Sequence, residues 1–285
     1  MGHLNTRERT LNDLKDFVFD HQRLLVLTGA GVSTDSGIPD YRDQQGQWKH
    51  KPPVQHGDFM SQLLVRQRYW ARALVGFPVM QQARPGEAHR ALAELEQRGR
   101  VFHLITQNVD RLHQQAGSTK VTDLHGRADT VSCQSCGYRL MRYAYHQFLE
   151  QLNPGFTGLQ GVTAAPDGDA DLERDDFHRF QVADCPRCAG IIKPDVVFFG
   201  DLIPSATRQM ADQALAVADA LLVVGSSLMV YSGYRFCQQA SQMGKPIAAL
   251  NLGKTRADPL LSLKIEAAIG STLQALIDQN PCPQA

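Results

Sequence analysis

The sequence predicts an α/β fold: a doubly wound, Rossmann-like parallel sheet with a small metal-binding module inserted between its halves. Three observations predict it. Short apolar runs at residues 24–27, 220–224 and 247–250 have the length and composition of strands buried on both faces. Each run ends in small or hydrogen-bonding residues, and segments of helical spacing separate the runs, the alternation that builds parallel sheets. Four of the six cysteines fall into two Cys-x-x-Cys pairs far apart in the chain, a ligand set that belongs outside the sheet.

Residues 12–22 carry Leu14, Phe17 and Val18 at helical spacing and lead into the first strand, 24–27. That strand breaks into Gly29, Ala30 and Gly31. Glycines there let the backbone approach a pyrophosphate, and the amides of a following helix start face it with the favourable end of the helix dipole. A GxGxxG pattern would put its third glycine at Thr34, whereas the chain waits until Gly37. Alone, this variant fits an ordinary tight turn equally well. Its neighbours add polar density: Ser33, Thr34, Asp35, Ser36, Asp40, Tyr41, Arg42 and Asp43 follow, with Pro39 stiffening the path. Such a loop suits enclosure of a ligand, the alternative being a solvated loop.

Residues 59–75 read as a helix with an aromatic face and several arginines, and 87–97 as another, ended by Gly99. Residues 101–105 form the next strand and bring Thr106, Gln107, Asn108 and Asp110 to the carboxyl edge, where open α/β sheets bind ligands. A short strand, 121–124, ends at His125 and Gly126.

Cys133 and Cys136, then Cys185 and Cys188, each place two thiolates on one knuckle, and two knuckles supply the four sulfurs of a tetrahedral structural zinc. Neither pair opens a helix after a strand, so metal binding is favoured over redox exchange. Cys237 reads as a buried small residue and Cys282 as a tail residue. Residues 150–178, rich in Gly, Asp and Pro, read as an insertion in the zinc module.

Residues 196–199 are apolar and β-favouring. An exposed edge there can pair with an extended peptide by strand addition, a buried core strand being the alternative. A helix at 205–218 precedes the strand 220–224, which ends in Gly225, Ser226 and Ser227. Lys245 and Pro246 introduce 247–250, which ends in Asn251, Leu252 and Gly253, and a helix at 272–277 closes the chain. The domain boundaries that follow are 1–130 with 190–285 for the sheet and 131–189 for the zinc module.

With 285 residues, 43% of them hydrophobic, the chain has material for one large core and a smaller unit. Lysine plus arginine equals aspartate plus glutamate at 29 each, so no strong field favours nucleic acid or an anionic membrane. No apolar run spans a bilayer and no signal region is visible, which predicts a soluble, cytoplasmic protein. Met1, Gly2 and Thr6 match a myristoylation pattern short enough to arise by chance.

The stretch GAGVSTDSGIPDYRD resembles the cofactor-binding signature of the sirtuins, the NAD-dependent protein lysine deacylases. TQNVDRLH, LHG, the two Cys-x-x-Cys pairs, KPDVVFFGD, GSS and NLG follow in that family's order from residue 24 to about 270. RQRYWAR and LMVYSGYRF are similar to the mitochondrial class II sirtuins and their bacterial relatives.

The resemblance implies NAD as co-substrate, bound by the Gly29-Ala30-Gly31 turn, Ser33, Asp40, Tyr41, Arg42, the Gln107, Asn108 and Asp110 segment, Gly225 to Ser227, Asn251 to Gly253 and Ile269. Uncharged amides at 107 and 108 suit the cationic nicotinamide ring. It implies His125 as general base, with Asn108 and Asp110 also catalytic and His113 the weaker candidate base. It places acyl-lysine peptide near Val197, Phe198, Gly200, Val230 and Tyr231.

Tyr69 and Arg72, one helical turn apart, are similar to a pair that grips acidic acyl groups. The implied reaction joins the substrate amide oxygen to the ribose carbon, releases nicotinamide and gives lysine and O-acyl-ADP-ribose. Zinc, saturated by thiolates, is structural. Two other classes use these features: a protein ADP-ribosyltransferase with the same NAD site, and a nucleic-acid-binding zinc protein. Neutral charge, with only Arg127, Arg139 and Arg142 near the first knuckle, disfavours the latter.

Overall fold

The computed structural model describes residues 6–49, 53–157, 168, 170, 172 and 174–280. Met1 and Gly2 of the lipidation pattern, Cys282 and residues 158–167 of the insertion lie outside them. The strands, in chain order, are β1 (Leu24–Thr28), β2 (Val101–Thr106), β3 (Val121–Asp123), β4 (Gly126–Cys133), β5 (Arg139–Met141), β6 (Ile192–Val196), β7 (Ala220–Val224), β8 (Ile247–Leu250) and β9 (Leu263–Ile265). The helices are α1 (Thr6–Asp20), α2 (His56–Ser61), α3 (Leu63–Gln82), α4 (Glu87–Gln97), α5 (Leu112–Gln115), α6 (Arg142–Leu152), α7 (Ser205–Val217), α8 (Tyr231–Gln242) and α9 (Ile269–Asp278).

Six strands form one parallel sheet in the order β3-β2-β1-β7-β8-β9. From the central β1 the chain builds outward through β2 and β3, then returns to β7 and builds the other way, which creates the crevice where such sheets bind ligands. The continuous apolar runs follow from burial on both faces. Leu24 and Val26 pack into a core with α1, α4 and α9, while Leu25 and Leu27 pack into a second core with α7 and α8. Register aligns Thr28 with Thr106 and Val224, so the polar segments beyond them emerge at one level.

The second unit is an antiparallel sheet, β5-β4-β6, and its core is shared with α2, α3 and α6. Phe59, Tyr69 and Trp70 pack there with Tyr145, Val131 and Ile192. The segment around α3, which the sequence reading counted with the nucleotide-binding part, is therefore packed with the zinc module. The helix read at 59–75 is two helices, α2 and α3, and the strand read at 196–199 ends at Val196. Among the described residues no helix is long and apolar enough to cross a membrane.

Candidate active site

The carboxyl ends of β1, β2, β7 and β8 open into one cleft of about 1020 Å³ between the two units. Of the candidate catalytic, cofactor and substrate residues, all line this cleft except Arg72 and Gly253. Gly253 instead seats the loop above it: a Cβ there would meet the Gln44 carbonyl at 2.4 Å. Arg72 donates from Nε to the Ala170 carbonyl at 2.6 Å, while Tyr69 faces the cleft floor.

The glycines of the first turn have a different first duty from the one expected. A Cβ on Gly29 would meet Ser226 Cβ at 2.8 Å, and one on Gly31 would meet Gly225 Cα at 2.9 Å. The room they leave is filled by the turn after β7, and Gly31 N–H donates to the Gly225 carbonyl at 2.9 Å. The two turns interlock, and that interlock fixes the crevice. Gly31→Ala is expected to destabilise the ligand-free protein by about 1–3 kcal/mol through overpacking against backbone, read as a lower midpoint in calorimetric unfolding.

Beneath this turn lies a closed polar network. Ser33 Oγ donates to Asp110 Oδ2 at 2.7 Å and accepts from Asn108 Nδ2 at 3.0 Å and from His89 Nε2 at 3.3 Å. His89 Nδ1 accepts from Gly86 N–H, which leaves the ring proton on Nε2. Ser33 is thus saturated within the protein and holds the acid in place. Burial raises the Asp110 carboxyl above its ordinary value, opposed by the Leu112 amide and Ser33. Burial also lowers His89 to about 4, so the imidazole beside Ser33 stays neutral at physiological pH. Asn108 Nδ2 also ties to the Gly29 carbonyl at 3.1 Å, joining the ends of β1 and β2.

His125 follows β3 and is half-buried in the cleft. Its Nδ1 lies 3.0 Å from the Gln107 carbonyl, which only accepts, so Nδ1 carries the proton and Nε2 presents its lone pair. The Ser232 hydroxyl meets that lone pair at 2.7 Å. Burial lowers the imidazole to about 4, partly opposed by the Gln107 carbonyl. The ring is neutral at physiological pH, the form a general base requires. His113, by contrast, is fully buried, bonds to Thr28 Oγ1 at 2.9 Å and does not line the cleft. Ser232 and His89 were not singled out in the sequence: a serine beginning a helix and a histidine inside one carry no signal of what they meet.

The loop after the first turn folds over the cleft. The Arg42 guanidinium stacks on Trp48 at 3.8 Å, Asp40 pairs with Lys49 at 2.5 Å, and Trp48 packs edge-on against Phe199 at 6.0 Å. On the facing wall, Val197 N–H donates to the His125 carbonyl at 2.8 Å, and the Phe199 carbonyl accepts from His56 N–H at 2.8 Å. The Phe198 side chain is core, wedged against Phe59 and Tyr69. Gly200 and, on the opposite rim, Val230 and the exposed Tyr231 complete the mouth. Ile269, at the start of α9, closes the far end beside Asn251 and Leu252.

The four cysteines converge at the end of β4 and the approach to β6. Their sulfurs all lie within 4.8 Å of one another, with Cys133 and Cys188 at 3.5 Å and Cys136 and Cys185 at 3.7 Å. Sulfurs about 2.3 Å from a tetrahedral zinc stand about 3.8 Å apart, so the set fits that ion. The two knuckles repeat one geometry: Cys133 N–H donates to the Tyr138 carbonyl and Cys185 N–H to the Gly190 carbonyl, each five residues on. The Ser135 and Cys136 amides point at Cys133 Sγ, and they draw its thiol down to about 6. No open coordination position remains, which suits a structural ion.

The chain matches the Sir2 family over residues 29–232. It is 56% identical over 274 residues to an NAD-dependent protein deacetylase of Bordetella bronchiseptica, covering 96% of this chain and 100% of that protein. It is 46% identical over 271 residues to the mitochondrial NAD-dependent protein lipoamidase sirtuin-4 of Bos taurus, covering 94% of this chain and 85% of that one. A solved Sir2 structure with a deacetylated p53 peptide and 3'-O-acetyl ADP-ribose superposes with a TM-score of 0.78 at 29% identity, covering 95% of this chain and 98% of that one. The four strand-end motifs share one crevice, a neutral histidine stands within it and a four-sulfur centre stands at the far end of β4; with relatives more than half identical along nearly the whole length, the chain belongs to the Sir2 family.

Proposed function

We propose that this protein is an NAD-dependent protein lysine deacylase that removes acetyl and larger acyl groups from lysine side chains. The observation that carries the reading is His125, neutral and with Nε2 directed into the cleft where all four strand-end motifs meet. NAD supplies an electrophilic ribose carbon with a cationic leaving group, so that nicotinamide departs and the acyl group ends on ADP-ribose.

The protein supplies the rest. The interlocked turns and the start of α9 hold the dinucleotide, and the Arg42 loop covers it. Asn108 and Asp110, fixed by Ser33, bind the nicotinamide amide. His125 takes a proton from a ribose hydroxyl at Nε2 and returns it to the departing lysine. The walls at Val197 to Gly200 and at Val230 and Tyr231 clamp the peptide, and Tyr69 borders the acyl end. Zinc, bound by Cys133, Cys136, Cys185 and Cys188, holds the small unit together. An NAD-consuming enzyme with four reduced thiolates suits the cytoplasm, and acyl-lysine proteins, not nucleic acid or membrane, are its partners.

The test is to incubate the protein with NAD and peptides bearing acetyl, succinyl, glutaryl or long-chain acyl lysines. Nicotinamide and O-acyl-ADP-ribose are expected in equal amounts and only with peptide. Label appearing on protein instead would make ADP-ribosyl transfer the main activity. Because Arg72 tethers the Ala170 carbonyl over α3, Arg72→Ala is expected to lower turnover of all acyl groups alike, by about threefold to tenfold. A loss confined to succinyl and glutaryl substrates would assign its guanidinium to the substrate carboxylate.

A further inference from the structure

The hydrogen bond between Ser232 and His125 has no counterpart in the motifs that define the site. We propose that Ser232 is a positioning residue for the base, its hydroxyl holding the Nε2 side of His125 through both protonation states of the ring. The proposal rests on the deacylase reading above and assigns a role to a residue of that same cleft.

The Gln107 carbonyl accepts from Nδ1 at 3.0 Å and cannot donate, so Nδ1 keeps its proton throughout. Only Nε2 gains and loses one. A neutral Nε2 needs a donor, whereas a protonated Nε2 needs an acceptor. A hydroxyl is both, and at 2.7 Å Ser232 changes role by rotating its O–H alone. The Ser232 O–H rotates off the Nε2 lone pair as the ribose hydroxyl takes its place; when the ribose O–H bond breaks, its proton forms the new Nε2–H bond and the oxygen keeps the electron pair to attack the acyl carbon. Ser232 Oγ then accepts from Nε2–H until the proton passes to the lysine nitrogen.

The placement of Ser232 is enforced by packing. Gly233 N–H donates to the Val230 carbonyl at 3.2 Å, closing the first turn of α8. A Cβ on Gly233 would meet Gln107 Oε1 at 2.4 Å, so the helix start lies directly on the Gln107 amide. That amide is itself fixed, with Nε2 donating to the Thr28 carbonyl at 3.1 Å and to Ser226 Oγ at 2.9 Å. Gln107 therefore registers both partners of the imidazole at once: its carbonyl bonds Nδ1, and its side chain seats the turn that carries Ser232. None of the charged groups lining the cleft among the described residues, Asp40, Arg42, Asp43, Lys49, Asp110, Asp201, Arg208 and Arg235, bonds to the ring, which is shifted by burial and by the Gln107 carbonyl.

The test compares Ser232→Ala and Ser232→Thr in the full, zinc-loaded chain. Ser232→Ala is expected to lower kcat about tenfold, as for loss of one hydrogen bond to a charged group, with KM for NAD and peptide unchanged within about twofold. The acid limb of the kcat/KM profile moves to lower pH, because the bond lost to the charged ring is stronger than the one lost to the neutral ring. Ser232→Thr keeps the hydroxyl and restores both. In the ligand-free protein, nitrogen NMR of His125 shows a displaced Nε2 resonance in Ser232→Ala and the original one in Ser232→Thr. That spectrum needs no turnover, so it separates this inference from the deacylase reading, whose failure shows as no nicotinamide release by the unsubstituted protein. An unchanged acid limb and Nε2 resonance in Ser232→Ala, or a folded Ser232→Thr as impaired as alanine, overturns the proposal.

Discussion

His125→Ala is expected to lower peptide-dependent formation of O-acyl-ADP-ribose by on the order of 10²–10⁴-fold, the contribution of a positioned base. The fold should survive, since the side chain is half-buried and its bonds among the described residues go to Gln107 and Ser232. The same substitution has a second, independent readout in acid. The folded ring titrates near 4 and the unfolded ring near 6.5. Between those values the unfolded chain binds a proton that the native ring refuses, so stability is complete above the unfolded value and falls as pH drops through the window. His89 and His146, both lowered to about 4 by burial, act in the same sense. The unfolding midpoint of the native protein should therefore fall between about pH 7 and about pH 5, and His125→Ala should fall less. Equal turnover in the variant, checked by product chromatography, would remove His125 from the mechanism.

Cys185→Ala, or exhaustive chelation, should release the metal and abolish turnover although no sulfur lines the cleft. Zinc binding to knuckles of this kind is worth about 10–16 kcal/mol in peptides, comparable to or larger than the about 5–15 kcal/mol that holds a typical domain. The consequence reaches the base through two strands. β4 begins at Gly126, next to His125, and ends at Cys133; β6 leads from the second knuckle to Val196, paired with Gly126. Val197 then bonds the His125 carbonyl. Loss of the metal frees both strands at one end and the base at the other. Elemental analysis should show zinc lost, and hydrogen exchange should rise first in β4 and β6. A metal-free protein that still turns over at the native rate would contradict this account.

The parallel sheet was readable because burial on both faces writes itself as unbroken apolar runs such as 24–27, and because its strand ends break into small polar residues. The zinc ligands were readable because four thiolates need two fixed spacings. Partnership was harder. The aromatic face of α3 announces a buried helix, yet Tyr69 and Trp70 do not say which core takes them; Tyr145 and Phe198, distant in sequence, decide it. β4 and β6 were missed as a pair because Lys193, Pro194 and Asp195 interrupt any apolar pattern. Side chains reinforce their antiparallel ladder, with Asp195 accepting from Thr130 and Ser132 at 2.5 Å each. The glycine turn was read for a ligand and serves first to admit another turn, a contact no local pattern encodes. Ser232 has the same character.

Leu124 belongs to one core of the parallel sheet, and Ala128 belongs to the core of the zinc unit. His125 lies between them, where the chain passes from one unit to the other, and its carbonyl is held by the Val197 amide beyond β6. The base is thus a seam residue, anchored in both units at once, and a change in the packing of either is felt at the imidazole.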